Sequence, residues 1–204
     1  MTQTMRPFLP PRTLDTIERL LLAGFFTWFC YRILSRLETN PYNIIALVSE
    51  AAVLAFILFR RPTEQISTKP TDWAIGFAGS LLPLLLMPTE EGLISGVALV
   101  LAGMILSIGA KFSLRRSFGI VAANRGIKRT GLYAAVRHPM YLGYFVTYLG
   151  MAMLNPSLFN VGLLSLWAVL QISRIHAEEK VLMQDPLYQE HAKAVRYRLL
   201  PLVY

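Results

Sequence analysis

Two short stretches carry side chains that could do chemistry. The first runs from Gly131 to Gly143 and sets Arg137 and His138 directly before Pro139. Proline is well tolerated in the first turn of a helix, where its missing N–H costs nothing, so Pro139 is predicted to start one. Arg137 and His138 then stand at the mouth of that helix, where free N–H groups and the helix dipole suit an anionic or strongly polar ligand. A basic flank at a membrane interface accounts for the same residues. The second stretch holds Arg174 and the adjacent carboxylates Glu178 and Glu179. Arg174 and Glu178 are placed to pair along a helix. The two stretches together make a pocket for a zwitterionic cofactor, with carboxylates for its cationic groups and helix-start N–H groups for its carboxylate. A solvated ion-pair cluster is the other reading that the residues leave open.

What must position these groups is a membrane bundle. The chain has 204 residues, 54% of them hydrophobic, and its mean hydropathy is +0.47. Its apolar runs are long enough to cross a bilayer, which excludes an ordinary water-soluble domain. The net charge of +8 does not point to nucleic acid, because the basic residues fall between hydrophobic runs and not on one face. The expected fold is all-α, a polytopic helical bundle of about six spans with a cytoplasmic C-terminal amphipathic helix. Residues 1–110 supply about four spans; residues 111–204 supply two spans, the pocket and a cap.

In chain order, the N-terminal segment with Arg6, Pro7, Pro10, Pro11 and Arg12 is an interfacial lead-in, too weakly apolar for a cleaved signal peptide. The first span covers about Leu14 to Leu37, and Asn40-Pro41 turns into a second from Tyr42 to Phe59. The third, Trp73 to Met87, is short and contains Pro83, which kinks it or leaves it only partly transmembrane. The fourth runs from about Gly92 to Ala110, with Gly96, Gly103 and Gly109 allowing close helix approach. A basic loop leads to the fifth span, Pro139 to Leu154. Asn155-Pro156 turns the chain into the sixth, from Ser157 towards Arg174. With both termini cytoplasmic, only Arg32 and Arg36 of the 20 Lys and Arg residues fall near the outer face, as the positive-inside rule requires. Beyond Asp185-Pro186, a last amphipathic segment ending at Pro201 is expected to lie on the membrane surface.

Other residues invite a role. Glu50 lies in the second span, where a carboxylate is costly, so it is a candidate for the substrate cavity, with Arg32 a possible partner. The loop from Lys111 to Lys128 has no acidic residue. It either lines a substrate entrance, with Phe118 as the apolar contact, or anchors to anionic lipid. Cys30 is alone, so no internal disulfide or cysteine zinc site exists, and His138, His176 and His191 lack metal-pair spacing. No metal is expected.

The paired motifs, from Arg137 to Gly143 and Glu178-Glu179, resemble the bipartite signature of the isoprenylcysteine carboxyl methyltransferase family, in a wider group with phospholipid N-methyltransferases. The likeness extends from about Ser113 to Pro201, taking in Gly131, Tyr133, Leu182 and Tyr188. It implies S-adenosylmethionine as cofactor and a lipophilic or lipid substrate entering from the membrane. Gly131, Tyr133, Arg137, His138, Pro139, Tyr141 and Gly143 would build the cofactor loop, and Glu178 and Glu179 would close it. Arg137, His138 and Tyr141 are the implied catalytic residues, and Arg196 or Arg198 could hold a substrate carboxylate. The segment Gln184 to Tyr188 and the residue His191 depart from the family pattern, which leaves the substrate open. The implied reaction is methyl transfer, with a carboxylate favoured as acceptor and nitrogen or sulfur possible. A sterol-reductase-like enzyme using NADPH, or a non-catalytic scaffold or transporter working through Glu50, are the alternatives.

Overall fold

A computed structural model describes residues 9–35, 37–38, 43–89, 92–200 and 203. Among these the fold is all-helical, with α1 (Pro11–Leu34), α2 (Asn43–Leu58), α3 (Pro70–Leu81), α4 (Gly96–Leu114), α5 (Pro139–Leu154), α6 (Leu158–Leu182) and α7 (Pro186–Ala194). The expectations at Arg6, Pro7, Arg36, Asn40-Pro41, Tyr42 and Pro201 lie outside the described residues. Two helices, Gly96–Ser117 and Leu158–Leu182, are long and apolar enough to cross a membrane by length and composition. Large apolar side chains also face outward, Leu158 at 94% exposure and Ile105 at 72%, a surface that suits lipid contact.

Proline sets several of the boundaries. It stands in the first turn of α1, α3, α5 and α7, where its fixed φ already fits a helix. Pro83 has the opposite effect. The third apolar run leaves α-geometry at Leu81 and tightens into a 3-10 turn over Leu82–Leu85, because proline cannot donate the next helical bond. Two expectations are corrected. α4 continues to Leu114, so Lys111 is helical and does not open the basic loop. The C-terminal segment is helical only over Pro186–Ala194, then extended, and its Tyr188 and His191 are buried in the protein.

α4 and α5 pack most extensively, along a seam of glycines. A Cβ on Gly103 would stand 2.4 Å from Thr147 N, and one on Gly143 would stand 2.6 Å from Ser107 N. Only hydrogen fits at that separation. α6 packs on both α3 and α5, and α1 pairs with α2.

One end of the bundle is fastened by charges that the sequence scatters widely. Asp15 and Glu18 of α1 face Arg60, just beyond α2, and Arg125, from the loop before α5; all four are buried. Arg60 Nη2 lies 2.8 Å from Asp15 Oδ1 and its Nη1 lies 3.0 Å from Glu18 Oε2. Arg125 binds the same two carboxylates. Glu18 Oε1 also accepts the backbone N–H groups of Ile120 and Val121 at 2.8 and 2.9 Å. The basic loop therefore folds inward onto α1, and its Arg125 is spent inside the protein and does not face lipid. Removing one partner from such a cluster leaves a buried charge uncompensated, at about 3–5 kcal/mol. Arg125→Met is expected to lower unfolding stability in detergent by about that amount. Arg12→Met, whose ion pair with Glu64 is exposed, should leave the denaturation midpoint unchanged.

Candidate functional site

The helix that carries Glu178 and Glu179 turns by about 100° per residue, so the two neighbours face different surroundings. Glu179 points into protein. Its Oε1 lies 2.9 Å from Arg137 Nη1 and 3.3 Å from His138 Nε2, and it accepts the Tyr188 hydroxyl at 3.3 Å. Its Oε2 accepts Arg198 Nε at 2.7 Å. Glu178 is half-buried and accepts one bond from a neighbouring helix, the Tyr141 hydroxyl at 2.9 Å. The expected ion pair between Arg174 and Glu178 does not form; Arg174 instead lies over the Tyr141 ring, 5.4 Å from its centre.

The C-terminal segment completes the arrangement as a strap. Arg137 N donates to Tyr197 O at 3.0 Å and His138 N donates to Arg198 O at 2.8 Å. Arg137 Nη2 reaches Arg196 O at 3.3 Å. Strap carbonyls thus take the N–H groups of the two residues just ahead of α5. The bonds also hold residues 195–198 outside the helix, with Val195 extended, which is why the last amphipathic segment does not continue as a surface helix. Asn124 Nδ2 donates to Asp185 Oδ2 at 2.8 Å, tying the basic loop to the N-cap of α7.

Beside this hub lies a cleft lined by Leu114, Lys128, Tyr133, Arg137, His138, Glu178, Leu182, Tyr188 and His191, among others. Three buried nitrogens of its lining residues, Arg125 Nε, Arg137 Nε and His191 Nε2, have no protein partner. Of the predicted residues, Tyr133, Arg137, His138 and Glu178 meet here. Gly131 sets the start of the preceding 3-10 turn with φ +65°, and Pro139 is buried at the first turn of α5. Gly143 sits away from the cleft in the α4–α5 seam. His138 meets Glu179 through Nε2 and Tyr141 donates its hydroxyl to Glu178.

A second and larger cavity, about 300 Å³, opens inside the bundle. Phe25, Phe26, Phe29, Phe118, Tyr144 and Trp167 give it an apolar wall, and Glu50, Lys111 and Arg174 are its charged residues. Phe118 and Glu50, both expected at the substrate, line it. Arg196 and Arg198 do not; Arg196 is exposed and Arg198 binds Glu179. Arg32 is not the partner of Glu50, since its guanidinium lies over Trp28; the charge acting on Glu50 is that of Lys111. A small cleft lined by Tyr141, Ile120, Arg174 and Glu178 lies between the two spaces. The composition of the cavity was beyond sequence reading, but Tyr188 and His191, three apart on one short helix, carried a legible signal of a shared inward face.

Burial and the two glutamates push the Tyr188 phenol well above its usual range, so it stays a donor. His191 is shifted the other way, below 6.5, chiefly by burial and also by the neighbouring cations Arg129 and Arg137. A histidine held neutral in the folded state takes up its proton less readily than in the unfolded chain, so stability is lost as pH falls below about 6.5. Melting between pH 7 and pH 5.5 is expected to show that loss, and His191→Gln should flatten this component.

No curated protein matches the chain. Residues 92–190, which hold both motifs, match the family model described as phospholipid methyltransferase, and this region of the chain fits the wider group of isoprenylcysteine carboxyl and phospholipid methyltransferases.

Proposed function

We propose that the protein is an integral membrane methyltransferase that takes its methyl group from S-adenosylmethionine and delivers it to a lipidic or amphipathic acceptor. The observation that carries this reading is the pairing of a polar cleft at the motif residues with an apolar cavity in the bundle, separated by Tyr141, Arg174 and Glu178. Six helical runs cross the bilayer, with both termini and the polar cleft on the cytoplasmic side.

The donor set of the cleft fits this cofactor. Arg137 Nε and Lys128 suit its carboxylate, Glu178 suits its ammonium or ribose hydroxyls, and Leu114, Ile127, Tyr133 and Leu182 form an apolar wall for its base. When bound, the cofactor supplies a methyl group already activated on a sulfonium. The protein's task is to orient the partners and exclude water. Glu179 holds Arg137, His138, Tyr188 and Arg198 in place and is a positioning residue, whereas Glu178 faces the ligand. A carboxylate acceptor is favoured, because it needs no deprotonation.

Calorimetry on the detergent-purified protein is expected to show saturable binding of S-adenosylhomocysteine. Glu178→Ala should weaken it by about ten-fold or more, as loss of a charge-assisted bond does. Labelled S-adenosylmethionine should pass its methyl to a lipid fraction. Binding of NADPH in place of S-adenosylhomocysteine by the folded protein would overturn the reading.

A further inference from the structure

Three helices bring polar side chains to the wall of the bundle cavity: Glu50 from α2, Lys111 from α4, and Tyr144 and Tyr148 from α5. Among the described residues, the Glu50 carboxylate, the Lys111 ammonium and the two tyrosine hydroxyls form no hydrogen bond with protein. Lys111 Nζ lies 5.9 Å from the centre of the Tyr144 ring, and its charge acts on Glu50 from beyond ion-pair reach. Tyr148 packs its ring against Trp167 at 4.5 Å and lies within the field of Glu50. Arg174, the third charge of the cavity, is by contrast engaged by Gln171 Oε1 at 3.0 Å and Ile120 O at 3.2 Å. A polar group withdrawn from bulk water needs a hydrogen-bond partner, and a carboxylate in a membrane span is costly without one. Four such groups around one space leave the partner to come from outside the chain.

The charges decide the kind of partner. Glu50 and Lys111 balance one another, so a further ion between them would itself be uncompensated. A neutral group that both donates and accepts fits the gap, and a hydroxyl does both from one oxygen: it donates to Glu50 and accepts from Lys111 or a tyrosine. A plain aliphatic chain would leave all four groups unsatisfied. The position comes from α5. Tyr141, Tyr144 and Tyr148 are three and four residues apart and share one face of that helix, with the rings of Tyr141 and Tyr144 6.3 Å apart. Tyr141 stands at the motif end with its hydroxyl on Glu178. Tyr148 lies two turns further in, about 10 Å along the axis.

We propose that Glu50, Lys111, Tyr144 and Tyr148 form a polar subsite that takes a hydroxyl carried in the body of the acceptor. On the methyltransferase reading, on which this inference rests, the acceptor is an amphiphile with its hydroxyl about 10 Å from the group that receives the methyl. Phe25, Phe26 and Phe29 of α1 supply the apolar contact along the chain. Selection for the hydroxyl thus comes from residues outside both motifs.

The test compares four probes of one chain length: octadecanoate, its mid-chain hydroxy derivative, its derivative hydroxylated beside the carboxylate, and its mid-chain amino derivative. Each competes with labelled octadecanoate on the immobilised full-length protein in detergent. The mid-chain hydroxy acid is expected to bind about ten-fold more tightly than the other three, as a hydrogen bond to a charged group provides. Glu50→Leu should bring it level with octadecanoate. Tyr148→Phe keeps the ring and deletes one hydroxyl, so it should lose part of the preference; it carries the test should the leucine variant not fold. Equal binding of the mid-chain hydroxy acid and octadecanoate by the folded wild-type protein, with water alone filling the subsite, would overturn the proposal. So would a preference undiminished in the variants that fold, or tightest binding of the amine. S-adenosylhomocysteine binding, measured alongside, separates the two ideas. Its absence in a protein that keeps the hydroxyl preference would remove the methyltransferase reading and leave the subsite standing.

Discussion

At the end of α6 a single carboxylate gathers groups from three other parts of the chain. Glu179 binds Arg137 and His138 at the mouth of α5, Tyr188 of α7, and Arg198 of the strap. Its side chain is only 6% exposed. A carboxylate in that setting needs charged or polar partners, and its partners in turn fix where α5 begins and where the C-terminal segment runs. The cleft exists because these elements are held apart at one edge and pinned together at the other. Glu178, one residue earlier, is left facing the cleft by the pitch of the helix.

The buried cluster of Asp15, Glu18, Arg60 and Arg125 does the corresponding work on the other side of the cleft. It draws the loop before α5 down onto α1, and the same loop contributes Arg125, Gly126, Ile127 and Lys128 to the cleft wall. The first two helices, which lie outside the family-matched region, thereby support the site and line its apolar cavity. The N-terminal part of the chain thus contributes to the cavity, while residues 92–190 hold both motifs.

The helices were largely legible in the sequence because their ends carry local signals. Pro139, Asn155-Pro156 and Asp185-Pro186 mark boundaries through backbone chemistry that needs no tertiary information. The two motifs were legible through residue type. What stayed hidden depends on packing. Nothing local distinguishes Glu178 from Glu179, and nothing in Arg125 shows that its partners lie on α1, more than a hundred residues away. Gly143 read as part of a cofactor loop because it closes the motif, yet its neighbour across the seam is Ser107. The strap was misread for a similar reason: an amphipathic pattern continues past Ala194, but the α5 mouth offers the backbone N–H groups that make an extended chain the better partner.

We place the cofactor in the cleft between the mouth of α5 and the end of α6, with Glu178 as its open carboxylate and Glu179 as its latch. An experimental structure of the protein with S-adenosylhomocysteine tests it most directly. Ligand density is expected between Tyr133, His138, Glu178 and Tyr188, with the bonds of Glu179 to Arg137 and Arg198 intact. Density in the bundle cavity beside Glu50, or a ligand bonded to Glu179 with the strap released, would contradict it.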